Sequence, residues 1–155
     1  MSTGNSMTSN FDPEQFLNAV ITDVQVRRPN LPAGIDVQGV VGEIKIVPWQ
    51  KKDDPSKHGI KAEVPLVVDT SLIEGQPPTL TLTYEIMMDL NEGGAIDMAV
   101  GKNGKLRGFR EAVGMNAPGS PFNWRAAQGK VVRAKISHRA WNNELYDEVA
   151  SVAKA

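Results

Sequence analysis

The sequence predicts a mainly β domain with one or two helices. Several stretches alternate between apolar and polar residues, as half-buried strands do. Two stretches space their apolar residues as amphipathic helices do. With 41% apolar residues, the 155-residue chain can also bury a single core. We therefore expect one domain over residues 11–155, preceded by a small, polar and disordered segment at residues 1–10.

The first predicted element is a short helix in FDPEQFLNAV. Asp12 can cap the free amides, Pro13 suits the first turn, and Gln15 stands at the reciprocal capping position. The apolar side of this helix would consist of Phe16, Leu17 and Val20. The stretch RRPNLPAG ends it with two prolines and a glycine.

The middle of the chain predicts three strands. VQGVVGEIKIVPW, rich in Val and Ile, is the first. GIKAEVPLVVD alternates and is the second; because Pro65 cannot donate to a ladder, we expect an edge strand there. In TLTLTYEIMMDL, the third, the apolar residues from Leu80 to Leu90 face inward and the threonines face outward.

The C-terminal third predicts a helix and a hairpin. The helix spans residues 105–113, with Leu106, Phe109 and Val113 as its apolar stripe and Gly114 as its stop. GKVVRAKISHRAW is the fourth strand, NN a tight turn and ELYDEVASVA the fifth strand. Five antiparallel strands with a helix before the fourth fit a partly open barrel of the oligonucleotide/oligosaccharide-binding (OB) type. A β-sandwich is the alternative, since strand count does not separate the two.

Charge is distributed unevenly along the chain. The net charge is −1, yet residues 102–141 contain nine Lys or Arg and one acid, Glu111. That segment is +8 and the remainder is −9. Such asymmetry indicates an anionic partner, while the alternative is a solvated basic face that balances acidic surroundings.

The stretch AVGKNGKLRGFREAVG suggests a phosphate-binding loop. A nucleotide-hydrolysing P-loop needs Gly where Ala99 stands and Ser or Thr where Leu106 stands, so that function is excluded. A glycine-rich turn that opens a helix still presents free amides to an anion. The cations beside it are Lys102, Lys105, Arg107 and Arg110. The alternative is an exposed amphipathic helix without a ligand.

The strand KVVRAKISHRAW carries a second basic pattern. Alternation places on one face Arg133, Lys135, Ser137, Arg139 and Trp141. Neighbouring cations on a sheet face repel each other, so this face suits a flat, anionic ligand. Single-stranded nucleic acid is such a ligand, because its phosphates meet cations and its bases stack on rings. The alternative is a solvated face with Trp141 folded into the core.

The remaining predicted nucleic-acid contacts pair aromatic and basic residues: Trp49, Trp124, Arg125 and Lys130. Each tryptophan is either a stacking platform or a core anchor, since Trp is mostly buried on average.

Several kinds of chemistry are not expected. Cysteine is absent and there are only two histidines, of which His138 is predicted to be structural. The adjacent carboxylates Asp53 and Asp54 have no suitable partner nearby. We predict no catalytic residue, no metal and no cofactor. Because no apolar run approaches the ~20 residues of a membrane helix and MSTGNSMTSN does not read as a secretory signal, we expect a soluble protein of the cytoplasm.

From Phe11 onward, the chain shows an overall pattern of short motifs. FDPEQFLNAVITDV and LPAG come first; a glycine-rich acidic turn, a GKN loop, the helix LRGFREA, the loop PGSPF, a strand containing HR and a hairpin closing on Val follow. This order resembles a group of small bacteriophage proteins of the single-stranded-DNA-binding type. The positions that match the group's pattern are Lys102, Arg107, Arg110, His138 and Arg139.

The resemblance implies an OB-type barrel that coats single-stranded DNA in phage replication or recombination. Its partners would be single-stranded DNA and replication or recombination proteins in the host cytoplasm, while the oligomeric state stays open. Many single-strand binders end in an acidic tail, whereas this chain ends in ASVAKA, which argues against recruitment through a tail. The alternative function is a protein-interaction or virion-associated module on a similar barrel, without enzymatic activity.

Overall fold

The computed structural model describes residues 11–56 and 58–155, so the predicted disordered segment 1–10 lies outside the described residues. Over these ranges the chain forms one open sheet of six antiparallel strands, and three short helices. The strands are β1 (Asp36–Val41), β2 (Lys45–Gln50), β3 (His58–Asp69), β4 (Thr79–Met88), β5 (Val131–Trp141) and β6 (Glu144–Lys154). The helices are α1 (Pro13–Asn18), α2 (Gly104–Ala112) and α3 (Trp124–Ala127). The mainly β, antiparallel prediction is confirmed; none of the described helices is long and apolar enough to cross a membrane.

The sheet follows the order β2-β3-β1-β5-β6, and β4 pairs with the other edge of β3. One edge of β3 is shared, since β2 pairs with residues 58–63 and β1 with residues 66–68. Some Cα atoms of β4 and β6 come within 8 Å of each other, yet the two strands are not hydrogen-bonded neighbours. The sheet therefore curls toward a barrel without closing, and the predicted five-stranded barrel of the OB type is not confirmed.

The prediction of five strands is wrong at VQGVVGEIKIVPW, which forms two strands instead of one. The break follows Val41, where Gly42 donates a backbone hydrogen bond to the carbonyl of Pro65 at 2.8 Å. A Cβ at position 42 would lie 3.1 Å from Pro65 Cγ, a tight contact, so glycine favours this close approach of the chain to β3. The chain bends there and resumes pairing as β2.

The prediction that Pro65 marks an edge strand is also wrong. β3 is flanked on both sides, with β4 along one edge and β2 and β1 along the other. Pro65 lies between Glu63, the last residue paired with β2, and Leu66, the first paired with β1. Its missing N–H falls at the junction between the two partners, where the ladder needs no donor.

The core lies inside the curled sheet, and α2 covers one end of it. Many of the predicted inward residues of β3, β4 and β5 are fully buried, among them Val64, Ile86 and Ile136. Those near the strand ends, Ile60, Leu80 and Leu82, are partly buried. The predicted stripe of α2 is buried as well: Leu106, Phe109 and Val113. The helix begins one residue earlier than predicted, and Gly114 follows it with φ +76°, as expected of a helix stop. The third helix, α3, is a single turn that begins two residues after the loop PGSPF.

The segment before β1 is tied to the hairpin of β5 and β6 through Asp147, whose side chain is only 1% exposed. Its carboxylate accepts a hydrogen bond from the Leu31 amide at 3.1 Å and pairs with Arg28 at 2.6 Å. His138 Nε2 lies 2.7 Å from the Leu31 carbonyl and 3.5 Å from the same carboxylate. His138 is thus a structural residue, in agreement with the prediction.

Candidate nucleic-acid interface

The outer face of β5 carries a row of cations. Arg133, Lys135 and Arg139 are exposed there, while Val132 and Ala134 are fully buried on the inner face. The alternation predicted from the sequence is therefore confirmed. At ~3.3 Å per residue, the row is roughly 20 Å long.

Acidic residues on the neighbouring strands balance this row only weakly. Lys135 Nζ lies 3.9 Å from Asp36, and Arg139 Nε lies 3.9 Å from Glu148. Both pairs are solvent-exposed, and such pairs hold their partners by less than about 1 kcal/mol. Arg133 lies opposite uncharged residues on both neighbouring strands and forms no ion pair in the described part of the chain. The row can therefore exchange its acidic neighbours for a phosphate backbone.

The row of cations ends at a pair of aromatic rings. Trp141 is 60% exposed, and its ring centroid lies 6.2 Å from that of Tyr146 on β6. The guanidinium of Arg27 lies 4.7 Å above the Tyr146 ring. A hydrogen bond from the Tyr146 hydroxyl to Glu144 raises the pKa of that phenol, which keeps it neutral. We call the surface formed by Arg133, Lys135, Arg139, Trp141, Tyr146 and Arg27 the β5 face.

Sequence reasoning missed Tyr146 and Arg27. A signal for Tyr146 was present, because counting back through the turn of Asn142 and Asn143 places it opposite Arg139 on the outer face. Arg27 gave no such signal. Its guanidinium donates to the carbonyl of Leu145, 118 positions away, a contact that no local pattern encodes.

The cations predicted around α2 lie elsewhere. Lys102, Arg107 and Arg110 line a groove of about 260 Å³ together with Met98, Val100 and Leu106, and all the residues lining it fall within 98–116. We call this the α2 groove. Lys105 is not among the lining residues, since its Nζ lies 4.4 Å above the ring of Tyr84. The structure therefore does not bring the cations of α2 and β5 into one continuous site.

The GKNG stretch forms the start of α2, and its asparagine has a structural role there. Asn103 adopts the left-handed conformation, φ 51°, and its side chain does not cap the helix. Its Oδ1 accepts from the Asp89 amide at 2.8 Å, and its Nδ2 donates to the carbonyls of Asp89 and Asp97 at 3.1 and 2.8 Å. The asparagine thus binds the loop after β4 to the start of the helix. The first amides of α2 remain without a side-chain cap, as the sequence predicts.

The other two predicted stacking residues are packed. Trp124 stacks on Phe109, with centroids 6.0 Å apart, and meets Phe122 edge-on at 4.7 Å. Trp49 covers Gly59, where a Cβ would lie 3.0 Å from Nε1 of the indole. Both are partly buried. Trp141 alone among the three tryptophans presents most of its surface to solvent.

The remaining predicted cations also lie apart from the aromatic pair. Arg125, on α3, lines a hollow with Glu43 and Gln128 beside the turn between β1 and β2. Lys130 precedes β5, and its carbonyl accepts from the amide of Val41 at 2.9 Å. Both side chains are exposed. Neither lies beside an exposed aromatic ring of the described residues.

No protein-family model matches the sequence, and no curated protein is significantly similar to it. The β5 face is therefore interpreted from its own chemistry. Cations in a row and an exposed tryptophan ring can hold an anionic, aromatic polymer. In the described ranges, no group of three or more His, Asp or Glu residues is placed to hold a metal ion.

Proposed function

We propose that the protein binds single-stranded DNA without sequence preference, through the β5 face. The observation that carries the proposal is the exposed row of cations on one strand, which leads to an exposed tryptophan beside a tyrosine. Phosphates would lie along Arg133, Lys135 and Arg139, and bases would stack on Trp141. Hydrogen-bond readout of bases is not required, so the binding would tolerate any sequence.

The exposed ring favours a single strand over a duplex. A base can stack on Trp141 only if its face is free, and in a duplex the faces are covered by neighbouring base pairs. Cations alone would bind both forms, since they respond to phosphate charge. The ring pair is thus the feature that gives preference for the single strand.

The finer fold we propose is OB-like. If β1 and β2 are taken as two halves of one strand bent at Gly42, five strands remain, with α2 between the third and the fourth. The approach of β4 to β6 is consistent with a nearly closed barrel. Together with the resemblance to phage proteins, this supports a role in phage DNA replication or recombination in the host cytoplasm.

A second candidate function is a protein-interaction or virion-associated module. The observation that favours it is the separation of the cations, since the α2 groove and Arg125 lie apart from the β5 face. In that case the basic segment would contact an acidic protein surface, and the rings of the hairpin would have no base to stack on.

The test is the salt dependence of binding to labelled oligo-dT and to a duplex of equal length. An oligonucleotide of about 8 nucleotides suits a single copy, because single-strand sites on such barrels cover ~4–16 nucleotides. We expect tighter binding to oligo-dT than to duplex at physiological salt. The slope of log K against log salt should be about −2 to −3, since each phosphate contact contributes about −0.7.

Two charge reversals separate the candidates. Arg133→Glu should weaken oligo-dT binding at least several-fold and make the salt slope shallower by about 1. Arg107→Glu makes the same charge change in the α2 groove and should leave binding of the short oligonucleotide unchanged. The proposal would be overturned if both variants lost the same oligo-dT affinity, or if duplex and oligo-dT bound equally well. Either result would show that binding depends on cations spread over the surface and not on stacking.

A further inference from the structure

Residues 11–26, which we call the arm, expose an unusual amount of apolar surface. Phe16 is 74% exposed and Val26 is 86% exposed. The other exposed apolar side chains of the arm are Phe11, Leu17, Val20, Ile21 and Val24. Immediately after the arm, the chain is held to the β5–β6 hairpin by Arg27, Arg28 and Leu31. A contiguous apolar stretch of this kind on a soluble domain marks a contact surface.

The arm is acidic as well as apolar. It contains Asp12, Glu14 and Asp23 and no Lys or Arg. Two of these acids lie in or next to α1, beside the rings of Phe11 and Phe16, whose centroids are 5.8 Å apart. A surface that receives α1 must therefore offer both apolar area and positive charge.

The α2 groove has both properties. Its apolar lining includes Met98 and Val100, which are largely exposed. Its cations are Lys102, Arg107 and Arg110, and none of them forms an ion pair with a described residue. The groove thus matches α1 in both apolar character and charge.

We propose that α1 of one copy docks in the α2 groove of a second copy of this chain. The apolar side of α1 would cover Met98 and Val100, and Glu14 would lie near Arg107. Mutual exchange of arms would close into a dimer, and one-way exchange would extend into a chain of copies. This inference does not depend on DNA binding, because it uses neither Arg133 nor Trp141.

Chain length favours a groove on another copy. The arm leaves the sheet at Arg27, beside Tyr146, whereas α2 packs against residues 152–154 at the other end of β6. That stretch of strand is roughly 23 Å long at ~3.3 Å per residue. The groove is lined by Arg107 and Arg110, whereas Gly108 and Ala112 line the hollow beside β6. The helix between these two faces is about 10 Å wide. Residues 19–26 span at most about 29 Å when fully extended. Docking on the same copy would therefore need this linker almost fully extended, whereas a second copy imposes no such limit.

The experiment is sedimentation velocity of the full chain without DNA, at concentrations up to about 100 μM. At that concentration, a contact with a Kd of ~10 μM would be mostly formed. We expect a species heavier than the monomer. Phe16→Asp with Leu17→Asp should weaken the association at least tenfold. Because both side chains are exposed, these changes should leave the melting temperature unaltered.

A charge exchange identifies the groove. Glu14→Arg and Arg107→Glu should each weaken association, and the combination should restore it. Lys52→Glu, the same charge change in the loop between β2 and β3, is the matched control and should have no effect. A wild-type monomer at every concentration would overturn the proposal, as would association that Arg107→Glu leaves intact. A monomer whose arm amides are protected from hydrogen exchange would show docking on the same copy and would equally overturn it.

Discussion

Trp141 and Tyr146 lie beside each other at the turn of the β5–β6 hairpin, with ring centroids 6.2 Å apart. Asn142 and Asn143 make this arrangement, because both adopt positive φ, 50° and 62°, as a two-residue turn of type I′ requires. The turn sets the register that pairs Arg139 with Tyr146. The aromatic pair therefore continues the row of cations on β5.

Trp141→Leu should lower affinity for oligo-dT about tenfold, since stacking of a base on an aromatic side chain is worth about 1–3 kcal/mol. Fluorescence anisotropy measures the affinity, and the quenching of tryptophan emission by oligo-dT should largely disappear. Trp124→Leu is the control. It should keep the affinity and lower the free energy of unfolding by about 1–3 kcal/mol, because Trp124 stacks on Phe109. Unchanged affinity in Trp141→Leu would contradict the role of the ring.

Asn103 should stabilise the protein through its side chain and through its backbone conformation. Asn103→Gly keeps the left-handed backbone but loses three side-chain hydrogen bonds, for a loss of about 2–4 kcal/mol in the free energy of unfolding. Asn103→Ala should lose about 1 kcal/mol more, since alanine is strained at φ 51°. Urea denaturation of both variants separates the contribution of the side-chain hydrogen bonds from that of the backbone conformation. If the two variants were equally stable, the backbone would contribute nothing.

Asp147→Asn should destabilise the protein by about 1–3 kcal/mol. The asparagine keeps the shape but loses the charge that pairs with Arg28 and accepts from the Leu31 amide. Glu148→Gln is the matched control on the same strand. Glu148 is half-exposed, lies 3.9 Å from Arg139 and accepts a hydrogen bond from Ser137 that glutamine can also accept, so its change should stay within about 0.5 kcal/mol. Thermal unfolding compares the two, and similar melting temperatures would contradict a structural role for Asp147.

Tyr84 should make stability fall at alkaline pH. Burial raises the pKa of its phenol above the ordinary value of 10.0. The folded protein therefore holds this proton more tightly than the unfolded chain. The resulting stabilisation is complete below about pH 10 and is lost as pH rises through the folded pKa.

Tyr84→Phe cannot ionise, so its stability should fall less steeply between about pH 9 and 11. Urea midpoints measured across this range test the difference. The hydrogen bond to Glu85 raises the pKa of Lys61, so this lysine also lowers stability as pH rises. Its contribution is the same in both proteins and cancels when they are compared. Parallel curves for the two proteins would show that Tyr84 does not govern the alkaline loss.

The sequence by itself determined the local geometry of most elements. Alternation in the strands assigned residues such as Ile86 and Ile136 to the inner face and Arg133 to the outer face, as the structure has them. The spacing in α2 and the glycine after it located that helix to within one residue. These features follow from the side-chain periods of 2.0 residues in strands and 3.6 residues in helices. Both periods are visible within a short stretch of sequence.

Only the tertiary structure decided which surfaces exist. Trp49, Trp124 and Trp141 all stand near cations in the sequence, yet only Trp141 is largely open to solvent. Pro65 is tolerated in an interior strand because two different strands share one edge of β3 and the proline falls between them. Arg27 joins Tyr146 from a distant part of the chain, while the cations of α2 separate from those of β5. The physical reason is that strand pairing and sheet curvature join residues far apart in the chain, so exposure at any one position depends on contacts that no local period records.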